Sequence, residues 1–117
     1  MSAQPLDLSE WARRDAAVRD AGAALLRRVE SKLPELQAIL AAHGVREAYL
    51  FGSVAQGDVR PGSDVDIAVS HCPPERFYRL SAQLERALEL PLDLIDLDGA
   101  PNDFAAHVRT MGRRIQP

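Results

Sequence analysis

Apolar residues recur near helical spacing over residues 8–30, where Trp11, Val18, Gly22, Leu25 and Val29 alternate with arginines and acids. Asp7 or Ser9 is suited to cap the start of this helix. Pro34 is tolerated only in a first helical turn, so Leu33–Ala42 is expected as a second helix, with Leu33, Leu36, Ile39 and Leu40 as its apolar stripe and Gly44 past its end. The period then changes. Val45–Phe51 and Asp64–Ser70 read as strands, separated by the turn-rich loop Gly57–Gly62. Pro73-Pro74 opens a helix over about 74–89, with Phe77, Leu80, Leu84, Ala87 and Leu88 on one face. Pro91 precedes a third strand, Leu92–Leu97, and Asn102 caps a last helix that Gly112 stops after Met111. Strands alternating with helices predict an α/β (α+β) layered fold: a small mixed sheet with helices packed on it. One domain over residues 1–117 is expected, with 1–32 as an N-terminal helical extension.

Two strand sequences carry residues that an apolar core does not explain. In Asp64-Val65-Asp66-Ile67, period-2 alternation turns both aspartates one way while Val65, Ile67 and Val69 turn toward a core. Neighbouring carboxylates repel unless a cation lies between them, and oxygen ligands select a hard ion such as Mg²⁺. Leu92-Asp93-Leu94-Ile95 offers a third carboxylate within an apolar run. Asp96 and Asp98 compete for that role. Asp93 and Asp96 have opposite parity, so at most one lines the site; Asp93 is preferred because it lies inside the run. Upstream, Gly52 permits close backbone approach to a phosphate and Ser53 adds a hydroxyl donor.

Gly52-Ser53, ten residues, then Asp64-Val65-Asp66 resembles the minimal nucleotidyltransferases of the DNA polymerase β-like superfamily. Tyr49-Leu50-Phe51 before the motif, Gly62-Ser63 ahead of the aspartates and Ile67-Ala68-Val69 after them fit the same pattern. The resemblance covers about Leu36 to Ile115. It implies the nucleotidyltransferase fold, with Asp64, Asp66 and Asp93 binding two Mg²⁺ ions and Gly52 and Ser53 holding the nucleoside triphosphate, ATP. It also implies a role. Many small stand-alone members are antitoxins that transfer AMP from ATP to a tyrosine of a helical HEPN-type ribonuclease toxin. One departure stands out: Gln56 occupies a position where members often have Arg, so a phosphate or surface contact is either absent or supplied by Arg60.

Composition narrows the alternatives. A net charge of −3 gives no broad basic footprint for a nucleic-acid polymer. No apolar run approaches the roughly 20 residues of a membrane span, and the N-terminus lacks the layout of a secretory signal, so a cytoplasmic location is expected. The single cysteine, Cys72, forms no internal disulfide and, with His71, reads as structural. His43 is placed to complement a helix dipole, and His107 reads as a surface residue. The basic set is 13 Arg and one Lys; Arg109, Arg113 and Arg114 read as a solvated helix end, with a phosphate or acidic partner as the sharper alternative. Ser53 does not read as a hydrolase nucleophile, because the glycines of Gly-x-Ser-x-Gly are absent around it, and no Gly-Lys-Ser/Thr of a P-loop is present. Two other functions compete with AMP transfer to a protein: an antitoxin acting by occlusion alone, through the N-terminal helix or the arginines, and nucleotidyl transfer to a small molecule.

Overall fold

The computed structural model describes residues 8–52, Ala55 and 64–117, with backbone alone at 8–12 and 14–19. Four short strands form a mixed sheet in the order β3-β2-β1-β4: β1 Glu47–Phe51, β2 Val65–Ser70, β3 Leu92–Asp96 and β4 Arg113–Ile115. β1 runs antiparallel to both β2 and β4, and β2 runs parallel to β3. The expected mixed α/β architecture is therefore present.

Alternation along the strands divides the core in two. Val65, Ile67 and Val69 of β2, with Ala48 and Leu50 of β1 and Leu94 of β3, point to one face. Two helices cover that face. α1 (Leu8–Ala42) contributes Val29, Leu36 and Leu40, and α2 (Pro74–Leu88) contributes Leu80, Leu84 and Leu88 at four-residue spacing. Each fully buried leucine is worth about 2–3 kcal/mol of transfer free energy, so this face supplies most of the driving force. Tyr49, Ala68 and Leu97 form a smaller cluster on the opposite face, beneath Ala105 and Val108 of α3 (Asn102–Met111).

Three expectations need correction. The helices expected at 8–30 and 33–42 are one continuous helix with Pro34 inside it. Pro34 and Glu30 are both exposed one turn apart, so the hydrogen bond that proline cannot make is missing on the solvent side of the helix. Asp7, offered as a cap, lies outside the described residues, and Ser9 lies in the first turn. Second, Arg113 and Arg114, expected in a solvated helix end, lie in a strand, β4. Its three residues are too few for a period to show, and it exists because Ala48↔Ile115 and Leu50↔Arg113 pair it with β1. Third, His43 does more than sit beyond the end of α1. It is buried, with Nε2 2.8 Å from Gln83 Oε1, which ties α1 to α2.

The C-terminal arginines do not act as one cluster. Arg113 Nη1 donates to Glu30 Oε1 at 2.6 Å, and Arg109 pairs with Glu47 at 3.2 Å. Glu47 also accepts from the Tyr49 hydroxyl at 2.9 Å and from Ser70 Oγ at 3.3 Å, so one carboxylate joins β1, β2 and α3. The hydrogen bond from Arg109, then that from Tyr49, holds the Glu47 carboxyl below its ordinary 4.5. A depressed acid stabilises the fold above its ordinary pKa, and that contribution is lost as pH falls through the folded value. Glu47→Ala is expected to cost about 1–2 kcal/mol in urea denaturation at pH 7. The difference from wild type should shrink as pH falls through the carboxylate range, and a pH-independent difference would rule out this linkage.

Candidate functional site

The strands bring the acidic residues to one rung. Phe51 pairs with Asp66 across β1 and β2, and Asp66 pairs with Asp93 across β2 and β3. Asp66 and Asp93 share the face that carries Ala68 and Ile95, and Asp64 stands exposed just before β2. The parity argument holds for Asp96, which turns to the other face. Its Oδ1 accepts from the Asp98 amide at 3.0 Å, and Asp98 Oδ2 accepts from the His71 amide at 2.8 Å. Neither Asp96 nor Asp98 joins the rung.

Gly52 follows Phe51 with φ +75°, a left-handed conformation that costs glycine nothing. A Cβ there would collide with Asp66 Oδ2 and lie 3.2 Å from its Cγ. The backbone at Gly52 is therefore packed against the half-buried Asp66 carboxylate. Ser53, with Gln56 and Arg60, lies outside the described residues, as does the loop Gly57–Gly62. Beneath the rung, Phe104 of α3 meets Phe51 edge to face, with centroids 6.0 Å apart, and fixes the end of β1 from below.

Burial raises the Asp66 pKa above its ordinary 3.8, and the charges of Asp93 and then Asp64 push it further the same way. A carboxylate perturbed in this way is a candidate functional group, and positive charge placed beside it would relieve the strain. Among the described residues, no three His, Cys, Asp or Glu side chains form a ready-made metal cage. That is compatible with Mg²⁺, which binds through one or two carboxylates and completes its shell with water and substrate phosphates.

His71, Cys72 and His107 bring nothing to the rung. Cys72 is buried, and burial pushes its thiol pKa up, away from reactivity. Reading the sequence missed the close approach of Gly52 to Asp66 and the joining role of Glu47. Glycine before Ser53 was a signal for the first. Nothing local signals the second, since Ser70 and Arg109 are 23 and 62 residues from Glu47.

Residues 34–116 match the family of polymerase beta nucleotidyltransferases. The chain belongs to that family. Residues before 34, most of α1, fall outside the match. The nucleotidyltransferase is 31% identical over 94 residues to the protein adenylyltransferase MntA of Shewanella oneidensis, an alignment spanning 78% of this chain and 61% of MntA. It thus spans less than two thirds of that relative. A solved toxin–antitoxin structure with AMP-PNP is 32% identical, covers 74% of this chain and 71% of its own, and superposes with a TM-score of 0.60. A complex of the tri-AMPylated Shewanella oneidensis HEPN toxin with its MNT antitoxin is 25% identical, with a TM-score of 0.57 and coverage of 74% and 70%.

Proposed function

We propose that this nucleotidyltransferase moves AMP from ATP to a hydroxyl of a partner protein, a tyrosine of a HEPN-type toxin, and thereby acts as its antitoxin. The observation that carries this reading is the Asp66–Asp93 rung, with Asp64 beside it and Gly52 packed against it. The adenylyltransferase name of the Shewanella relative and the AMPylated toxin in the similar complex support AMP as the group and a toxin as the acceptor.

Asp64, Asp66 and Asp93 would hold Mg²⁺, which when bound neutralises triphosphate charge and activates the acceptor oxygen. Gly52 brings its backbone to the β- and γ-phosphates, and Ser53 adds its hydroxyl. The acceptor oxygen attacks the α-phosphorus, the bond from that phosphorus to the bridging oxygen breaks, and pyrophosphate leaves. Asp93, exposed on its strand, receives the acceptor proton.

The test is incubation with ATP radiolabelled at the α-phosphate, Mg²⁺ and the partner toxin. Label is expected on a partner tyrosine with wild type and not with Asp66→Ala; transfer that persists in the variant would refute the site. In cells, Asp64→Ala with Asp66→Ala is expected to lose protection. Retained protection would favour an antitoxin that works by occlusion.

A further inference from the structure

β3 is the last strand of the sheet and carries Asp93, so among the described residues an unpaired strand edge runs beside the carboxylates. Val65 N–H donates to Pro91 O at 2.9 Å and Leu97 N–H to Val69 O at 2.8 Å. This phase turns the backbone polar groups of Asp93 and Ile95 toward β2 and those of Leu92, Leu94 and Asp96 outward. Glu85 Oε1 takes the Leu92 amide at 3.4 Å, and no described strand lies beyond the rest of the edge. Unpaired strand edges are templates for another chain.

Two hollows flank this edge where α2 packs against β3. One of about 420 Å³ is lined by residues including Arg86, Leu90 and Pro91, at the start of β3. The other, about 250 Å³ at its end, is lined by Phe77, Tyr78 and Asp96 among others. Tyr78 is 83% exposed, and Asp96 has no ion pair among the described residues. An aromatic wall beside a carboxylate that has no ion pair among the described residues fits a cationic side chain.

The direction of attack connects the edge to the reaction. Attacking and leaving oxygens lie roughly in line in phosphoryl transfer. Gly52 closes β1, and the rung runs from β1 through Asp66 to Asp93. With the triphosphate tail at Gly52, the leaving group departs on the β1 side and the acceptor enters over β3.

We propose that the acceptor arrives as an extended segment of the partner, paired along the outer edge of β3, with a basic residue seated against Asp96 and Tyr78. This rests on the adenylyl-transfer reading. Strand addition satisfies the outward groups of Leu94 and supplies affinity through the main chain. Because side chains of an added strand alternate, and Asp93 and Asp96 differ in parity, the accepting tyrosine and the basic residue stand three positions apart, roughly 10 Å.

Steady-state AMP transfer to the intact partner toxin is measured for wild type, Tyr78→Ala and Asp96→Asn; the asparagine keeps an Oδ1 to accept from the Asp98 amide. A synthetic peptide spanning the accepting tyrosine is then N-methylated at one position at a time. Each variant is expected to raise the KM for partner about tenfold, with kcat and the KM for ATP unchanged, and N-methylation is expected to impair the peptide at alternate positions. Unchanged partner KM in both variants would overturn the proposal. So would a peptide that accepts no label while the intact partner does, or one whose N-methylation acts uniformly or nowhere. Wild type that labels no partner would instead refute the adenylyl-transfer reading on which the proposal rests.

Discussion

Asp66→Asn is expected to abolish AMP transfer while raising the melting temperature. Loss of the charge removes the acid that burial and its neighbours Asp93 and Asp64 destabilise in the folded chain. The sign follows from linkage. The folded state binds this proton more tightly than the unfolded chain, so stability falls as pH rises from the ordinary 3.8 through the raised value. At pH 7 the wild type bears the full penalty and the asparagine bears none. Asp66 is half-buried, so solvent screens part of the effect, and a rise of about 2–5 °C is the scale expected for well under or about 1 kcal/mol in a domain of this size. The loss of activity should be far larger, about 10³-fold or more, equivalent to ~4 kcal/mol of barrier. Differential scanning calorimetry between pH 4 and 8, with radiolabel transfer at pH 7.5, checks both halves. Added Mg²⁺ should raise the wild-type melting temperature more than that of the variant, because an ion that binds only the folded state stabilises by mass action. A variant that melts lower than wild type across the range would show that Asp66 is a structural residue.

Gly52→Ala is expected to lose about 10²-fold or more in activity and about 1–3 kcal/mol in stability. Two costs coincide at this position. An alanine at φ +75° enters a region that L side chains occupy with strain. Its Cβ also collides with Asp66 Oδ2, so either the carboxylate turns out of the rung or the strand end shifts. Both movements spoil a geometry in which displacements of about 1 Å matter. Urea denaturation and initial rates of transfer measure the two costs separately. The double variant Gly52→Ala with Asp66→Gly would relieve the clash and recover part of the stability, but no activity. If stability does not recover, the contact between Gly52 and Asp66 is not the source of the loss.

Much of the candidate site's strand geometry was legible because its signals are short in range. Asp64 and Asp66 share a face by strand parity alone, and parity also separated Asp93 from Asp96 before any tertiary contact was known. The two helix faces, Leu80-Leu84-Leu88 and Leu36-Leu40, were legible for the same reason: burial repeats with the local backbone period. The errors arose where distant residues override local preference. Pro34 is a helix breaker by propensity, yet α1 runs through it because its flanking residues, Val29 and Leu36 among them, are buried against the sheet and the proline faces water. β4 is strand only because β1 lies beside it.

The sequence by itself determined which candidate side chains could act together: carboxylates two residues apart on one strand face, a glycine and serine ten residues upstream, and apolar strands to hold them. Local periodicity suffices for that, since it decides which side of a strand a residue occupies. The tertiary structure decided how those groups meet. Strand pairing set Asp93 beside Asp66, the packing of Gly52 against the Asp66 carboxylate closed one side of the rung, and the strand order left β3 last in the sheet, its outer edge unpaired among the described residues. Register and neighbour order arise from contacts between residues tens of positions apart, which no local pattern encodes.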